Sequence, residues 1–350
     1  MYKKQIILSE IGIAGQKILF SSKILCVGLG GLGSSALIYL FLCGIGTIGI
    51  VEMDEVELSN LHRQPLYNIK DIGKKKIDCA FNFLKKLNPN INIIKFYYKL
   101  SYDNAYDTFK NFEIVLDCTD NIETKFLINY FAYTLKIPMV YGSALGFEGH
   151  VAIFDASISS CFKCLNRNNF SSIENCDQNG VIGFIPGIIG LFQSLECVKL
   201  ILYKNNVGNF KPLIGKILIF NGVDFNIKIY NLKKYNHCDV CSKLPENIFI
   251  YDSVFNISYE DLKKNYKNIY FFDIREKYIY NYNHLIGSMN ISFYFFDSFV
   301  PLLFQRLFYY VNIVVYCETE IKSLIICKLL KKYSFFNVFS FKSKLFYVCK

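Results

Sequence analysis

Four apolar residues, Ile24-Leu25-Cys26-Val27, run directly into Gly28-Leu29-Gly30-Gly31-Leu32-Gly33, and this junction constrains the fold more than any other stretch. The apolar run reads as a buried parallel strand, and Ser34 to Cys43 reads as a helix. Between them lies a G-x-G-x-x-G turn at Gly28, Gly30 and Gly33. Glycines let a backbone turn tightly and approach phosphate oxygens, while the new helix offers unpaired N–H groups and its positive dipole end. A second apolar strand, Thr47 to Val51, ends in Glu52-Met53-Asp54, where an acid can receive ribose hydroxyls. Asp54 lies 26 residues after Gly28, against ~20 in a dinucleotide fingerprint. The turn alone indicates a nucleotide without saying which one.

The run from Ile24 to Val51 carries no charged residue and is long enough to span a bilayer. Its glycines break it into a strand–turn–helix–strand rhythm, so a water-soluble α/β core with no membrane partner accounts for it better. The net charge of +10 raises nucleic acid as a partner. From Ile248 onward there are 13 basic and 8 acidic residues against 26 and 21 before it, so the excess is even and no basic tail exists. Nucleic acid is therefore not an expected partner. The start, Met1-Tyr2-Lys3-Lys4-Gln5, has no signal-peptide form behind it, and 13 cysteines in such a chain point to thiol and metal chemistry in a reducing, cytoplasmic compartment.

Down the chain, Glu57 to Tyr67 is too polar and irregular for core, and Asp71 to Asn88 reads as an amphipathic helix stopped by Pro89. Ile91 to Tyr97 is strand-like. Ile114 to Asp117 is a buried strand running into Cys118-Thr119-Asp120-Asn121. The carboxyl ends of strands face the ligand in a doubly wound sheet, so Asp120 and Asn121 share a crevice with the glycine turn. A helix (Glu123 to Leu135) and strands at Pro138 to Tyr141 and His150 to Phe154 follow, an alternation that predicts a parallel α/β sheet.

Two C-x-x-C pairs come next, Cys161/Cys164 and Cys238/Cys241, with 73 residues between them. Together they can supply four thiolates to a tetrahedral structural zinc ion. The competing reading is a pair of redox dithiols. Cys176 falls in a polar loop before a glycine-punctuated apolar helix, where an exposed thiol can be a nucleophile. Leu244 to Asn247 reads as a linker, dividing the chain into 1–247 and 248–350. In the second part Ile269 to Ile274 is a strand. A further strand, Asn312 to Tyr316, delivers Cys317 into a loop ahead of a helix from Ser323 to Lys332. Backbone N–H groups at such a junction can hold a thiolate or persulfide.

The combination of G-L-G-G-L-G, L-S-N-L-H-R-Q, D-C-T-D-N and the paired C-x-x-C resembles the ThiF/MoeB/HesA-type, ubiquitin-activating-like adenylyltransferases. These activate small sulfur carriers for molybdopterin, thiamine or thiolated-tRNA synthesis. The part from Ile248 resembles a rhodanese domain through Asp273-Ile274-Arg275 and His284-Leu285-Ile286-Gly287-Ser288. The resemblance implies a Rossmann-like doubly wound sheet that binds ATP with Mg²⁺, followed by a smaller α/β domain. It implies ATP over Gly30, Gly31 and Gly33, Asp54 on the ribose, Asn60, Arg63 and Lys76 on the phosphates, and Asp120 on Mg²⁺.

The implied substrate is the C-terminal glycine of a ubiquitin-fold sulfur carrier. The implied partners are a cysteine-desulfurase sulfur donor and a second copy of the chain in a homodimer. Cys176 matches a cysteine that links to the carrier in some members, and Cys317 matches the persulfide carrier of rhodaneses. Lys4 stands where the family has an arginine that reaches the partner subunit's ATP. The Cys317 to Ser323 loop lacks the family's glycine and arginine and carries Glu318 and Glu320, which oppose a persulfide anion. Two other readings remain open on the residues alone: a nicotinamide-dependent oxidoreductase using the same turn, and a non-catalytic scaffold that docks a carrier.

Overall fold

In the computed structural model, residues 1–155, 157–166, 180–236, 238, 240–241, 269–296, 312–317, 320–332 and 338–342 are described. The chain divides into two compact units, Met1–Pro245 and Glu246–Lys350. The first opens with α1 (Lys3–Ile6) and α2 (Gly12–Ser21), then β1 (Lys23–Val27), α3 (Gly31–Cys43) and β2 (Thr47–Val51). The charge-free run is thus a strand, a helix and a strand. α3 starts three residues earlier than the sequence pattern suggests, because Gly30 is the extended residue that opens it.

After α4 (Lys76–Leu87) come β3 (Asn92–Phe96), α5 (Tyr102–Phe109), β4 (Ile114–Asp117), α6 (Ile122–Thr134), β5 (Met139–Leu145) and β6 (Glu148–Phe154). α4 is shorter than predicted at its start. Ile69–Asp71 forms a separate 3₁₀ turn, and Gly73, with φ of +80°, breaks the chain before Lys76. The unit continues with α7 (Phe162–Leu165), α8 (Phe184–Lys204), β7 (Lys216–Asn221) and β8 (Asn226–Asn231).

These strands form one sheet in the order β3-β2-β1-β4-β5-β6-β7-β8. The first five are parallel, as the alternation predicts, and β6 to β8 run antiparallel, so the strand at His150 to Phe154 does not continue the parallel part. The reason is local. Only Gly146 and Phe147 join β5 to β6, and Gly146 turns at φ +56°, whereas a parallel neighbour needs a crossover of a dozen residues or more. The β7–β8 hairpin escaped the sequence reading, although Ile217 to Phe220 is a continuous apolar run.

One face of the sheet packs on α3, α4 and α8, the other on α5 and α6, each over its own apolar core. Among the described residues, α8 is the helix long and apolar enough to cross a membrane. Here it lies in the core, burying Ile189, Leu200 and Leu202 together with Gln193 and Glu196. α3 and α8 meet where a Cβ on Gly190 would lie 2.2 Å from Ser35 Oγ and 2.4 Å from Leu32 O.

In the second unit β9 (Ile269–Asp273), α9 (Lys277–Tyr282), β10 (Met289–Asn290), β11 (Asn312–Cys317), α10 (Glu320–Lys332) and β12 (Val338–Lys342) build a parallel sheet ordered β10-β9-β11-β12. Buried Arg275 and Asp273 form a two-point ion pair, Nε to Oδ1 at 2.9 Å and Nη2 to Oδ2 at 2.6 Å. Arg275 also donates to the carbonyl of Asn283 at 2.8 Å, so this motif fixes the loop after β9.

Glycines on α8 make a direct test of the packing. Gly190→Ala is expected to lower unfolding free energy by about 1–3 kcal/mol, since backbone must move. Gly187, with nothing within 4 Å of its Cβ position, is expected to tolerate alanine and gain about 0.5–1 kcal/mol. Urea unfolding of the two variants measures the contrast.

Candidate active site: a glycine turn ringed by acids and cations

Parallel pairing puts the ends of β1, β2 and β4 side by side, with Val27 opposite both Val51 and Asp117. The loops that leave these three strands therefore emerge at one edge of the sheet. Gly28 takes φ +93°, and a Cβ there would lie 2.7 Å from the Cys118 carbonyl oxygen. A Cβ on Gly33 would lie 2.1 Å from Gly28 O, and one on Gly31 2.9 Å from Pro186 Cβ and 3.2 Å from Arg63 O. Gly30 differs. Its Cβ would meet nothing nearer than Gln64 Nε2 at 3.9 Å. Three glycines are thus packed against protein, and the fourth leaves an open face at the N-terminus of α3, where phosphate oxygens are favoured.

The acids at the end of β2 divide their work. Glu52 accepts the Leu29 N–H at 2.9 Å and the N–H groups of Met53 and Asp54 at 2.8 and 3.0 Å, so it touches the glycine turn. Asp54 pairs with Lys76 Nζ at 3.2 Å; the lysine side chain is 7% exposed and the aspartate 59%. Asn60 is buried in a 3₁₀ turn (Leu58–Asn60), accepting the Glu57 N–H through Oδ1 at 3.1 Å. Arg63 donates through Nη1 to Ser59 O at 2.9 Å and to His62 Nε2 at 2.8 Å, and its backbone adjoins Gly31. Asp120 is exposed beyond β4, and Asn121 caps α6 by accepting the Thr124 N–H at 2.9 Å.

The loop that carries Asp120 is anchored by polar groups below it that the sequence reading missed. Asp117, fully buried, accepts Lys125 Nζ at 2.9 Å, Thr119 N–H at 3.0 Å and Thr119 Oγ1–H at 2.6 Å. Lys125 also donates to Gly142 O at 3.0 Å. Burial opposes its charge, but Asp117 and neighbouring Tyr141 outweigh that and hold its pKa above the ordinary lysine value. From α8, Gln193 Nε2 donates to Asp117 O at 2.7 Å. Helical spacing places Lys125 one turn into α6, yet nothing in the sequence distinguishes it from the chain's many surface lysines.

Lys4 is not brought to this crevice. Tyr2, two residues before it, lies against Gly44 at the far end of α3, roughly 20 Å of helix away from the glycine turn. Cys176 lies outside the described residues.

Cys161, Cys164, Cys238 and Cys241 do converge, all four Sγ atoms lying within 4.8 Å of one another and all buried. Cys161–Cys164 is 3.9 Å, Cys161–Cys238 3.6 Å and Cys164–Cys241 3.3 Å. Four thiolates around a tetrahedral ion at ~2.3 Å sit about 3.8 Å apart, so the cluster fits a metal ion. The thiol of Cys161 hydrogen-bonds the sulfur of Cys238, which pushes Cys161 up and holds Cys238 below the ordinary thiol value, aided by the N–H groups of Cys241 and Val240.

In the second unit Cys317 is the last residue of β11, not a loop residue, and is 3% exposed among Phe272, Ile326 and Cys327. In-register pairing with Lys342 of β12 carries the strand that one residue further. Glu318 and Thr319 lie outside the described residues, as does the segment at Leu244 to Asn247.

A glycine turn at a sheet edge, flanked by carboxylates and cations, defines a nucleotide-binding α/β protein. Residues 2–242 match the ThiF family and residues 258–343 the rhodanese-like domain. Over 247 residues the chain is 42% identical to the adenylyltransferase and sulfurtransferase MOCS3 of Aedes aegypti, covering 70% of this chain and 55% of that protein. It is 34% identical over 337 residues to a probable molybdopterin-synthase adenylyltransferase of Gracilaria tenuistipitata var. liui, covering 95% and 93%. The sulfur carrier protein adenylyltransferase of Thermus thermophilus is 34% identical over 251 residues, 70% and 91% of the two chains.

Among solved structures, PaaA superposes with a TM-score of 0.56 at 26% identity, over 67% of this chain and 73% of that one. The E. coli MccB structure with ATP gives 0.55 at 19%, over 65% and 68%, a likeness of fold. The chain belongs to the ThiF family, and a rhodanese-like domain follows its ThiF part. The matched region spans about half the length of the mosquito relatives.

The Lys125–Asp117 pair is expected to matter to stability. Lys125→Ala leaves a buried carboxylate unpaired and should cost about 3–5 kcal/mol. Chemical denaturation that shows a loss under 1 kcal/mol would contradict the pair's role.

Proposed function

We propose that the first unit adenylates the C-terminal glycine of a small ubiquitin-fold sulfur carrier, preparing it for thiocarboxylate formation. The observation that carries this reading is the open face of Gly30 at the start of α3, set between the acids that end β2 and the Asp120 loop, in a chain of the ThiF family. ATP lies there with its phosphates on the turn formed by Gly30, Gly31 and Gly33. Its ribose falls to the acids at the end of β2, Glu52 touching the glycine turn and Asp54 touching Lys76.

A carrier carboxylate oxygen attacks the α-phosphorus, the bond to the bridging oxygen of the β-phosphate breaks, and pyrophosphate leaves with the electron pair. The nucleophile is already an anion, so no general base is needed. Arg63, Lys76 and Asn60 hold the phosphate oxygens as charge shifts toward the leaving group, and preorganised cations there stabilise the transition state. Asp120, exposed at the crevice, would hold Mg²⁺, which would neutralise phosphate charge there.

The four-cysteine cluster takes Zn²⁺ in a closed, structural site. The chain acts as a homodimer in which Lys4, remote from its own glycine turn, serves the partner's ATP. Lysine keeps the charge of the family's arginine without the two-point contact. The protein divides near residue 247 into adenylylating and sulfur-transferring parts. Cys176 forms the covalent link with the carrier, and Cys317 accepts sulfur as a persulfide from a cysteine desulfurase. The pathway served is one of sulfur incorporation, with molybdopterin synthesis suggested by the names of relatives. The many thiols, with no disulfide among the described cysteines, suit the reducing cytoplasm.

ATP–pyrophosphate exchange tests the reading. Exchange should depend on a carrier ending in Gly-Gly, and Arg63→Ala should lower kcat/KM by about a hundredfold or more. No exchange with any of several such carriers would overturn it. Metal analysis should find about one zinc per chain, lost together with thermal stability in Cys161→Ser and Cys238→Ser. Incubation with a cysteine desulfurase and cysteine should add the mass of one sulfur atom to the parent and none to Cys317→Ser.

A further inference from the structure

Tyr67 is 6% exposed and belongs to none of the charged groups that ring the crevice. Its hydroxyl donates to the Leu29 carbonyl oxygen at 3.0 Å, across 38 residues of chain. Leu29 is the residue between the first two glycines of the turn. Its N–H is held by Glu52 at 2.9 Å, and its carbonyl also accepts Ser34 Oγ–H from the first turn of α3 at 3.2 Å. One residue of the turn is therefore gripped at both ends of its backbone.

The geometry of the peptide unit gives this grip a consequence. The Leu29–Gly30 peptide is trans, and in a trans peptide the C=O of one residue and the N–H of the next point in opposite directions. With the Leu29 carbonyl drawn inward by two hydroxyls, the Gly30 N–H is turned outward, to the open side where a Cβ would meet nothing within 3.9 Å. Gly30 has no side chain to resist rotation of this peptide, so its orientation depends on what holds the Leu29 carbonyl. Among the described residues no acceptor meets that N–H.

We propose that Tyr67 is a positioning residue for nucleotide phosphate: by holding the Leu29 carbonyl it aims the Gly30 N–H at a phosphate oxygen. The inference rests on the adenylation reading and deepens it. Burial, followed by the nearby charge of Glu52, pushes the phenol pKa well above its ordinary value, so the hydroxyl stays a donor throughout the working pH range. The ring fills core beside the turn whatever the hydroxyl does, and Ser34 keeps the Leu29 carbonyl from being left unpaired. Removal of the hydroxyl alone therefore loosens the aim of the turn without unfolding it.

Tyr67→Phe is the test, with the full chain and two probes: Mg·ATP, and adenosine, which lacks phosphate. Titration calorimetry of the parent and the variant should show ATP affinity falling roughly five- to tenfold, with adenosine affinity unchanged and the melting temperature within a few degrees. In exchange assays the KM for ATP should rise by the same factor while the KM for the carrier holds. Equal ATP affinity in parent and variant overturns the inference while leaving adenylation intact. Equal loss for ATP and adenosine also overturns it, because the hydroxyl would then be a general structural support. A parent that binds no ATP overturns the adenylation reading and this inference together.

Discussion

Backbone meets backbone at the C-terminal edge of the first sheet, and the absence of side chains there is what permits the rest of the structure. Gly28 lets the turn settle against the Cys118 carbonyl, and Gly33 lets α3 settle against Gly28 itself. Both contacts are too close for any Cβ. Through the first, the loop after β4 is drawn to the turn; through the second, the helix N-terminus is aimed over the strand edge. Gly31 then admits Pro186 at the start of α8 and the backbone of Arg63. Four separate segments are brought together around the open face of Gly30 by the absence of three methyl groups.

What surrounds that opening is held from beneath by groups that never meet solvent. Asp117, Thr119, Lys125 and Gln193 form a satisfied polar network linking β4, α6, β5 and α8. Such networks are costly when incomplete and rigid when complete. The same division recurs in the second unit, where the Asp273–Arg275 pair is spent on shaping the loop after β9. In both units the ionic groups that are easiest to notice as motifs are partly scaffolding.

Much of this could be read before any coordinates. The strand–turn–helix at Ile24 to Cys43, the strand ending in Asp117 and the two cysteine pairs announce themselves because their physics is local: period, glycine spacing and ligand spacing. The antiparallel end of the sheet beyond β6 was missed, since β7 and β8 pair by a hairpin whose second strand is exposed along its whole length. Cys317 was expected in a loop because strand ends are set by a neighbour, here Lys342, distant in sequence. Tyr67, Lys125 and Gln193 were invisible for the same reason. Each acts through hydrogen bonds to residues in other segments, and in a chain rich in tyrosine and lysine no pattern marks them.

The cysteine cluster has a bearing on how the chain emerges from the ribosome. Cys161 and Cys164 follow β6, but their partners come after β8, at the very end of the first unit. Contacts so distant in sequence form late and slowly, because a long loop must close first. The pair at 161 and 164 therefore waits through the synthesis of α8, β7 and β8, with its thiols open to oxidation or to stray metal. The clasp shuts only when residue 241 leaves the exit tunnel. Its closure marks the completion of the first unit, just before the second begins to appear.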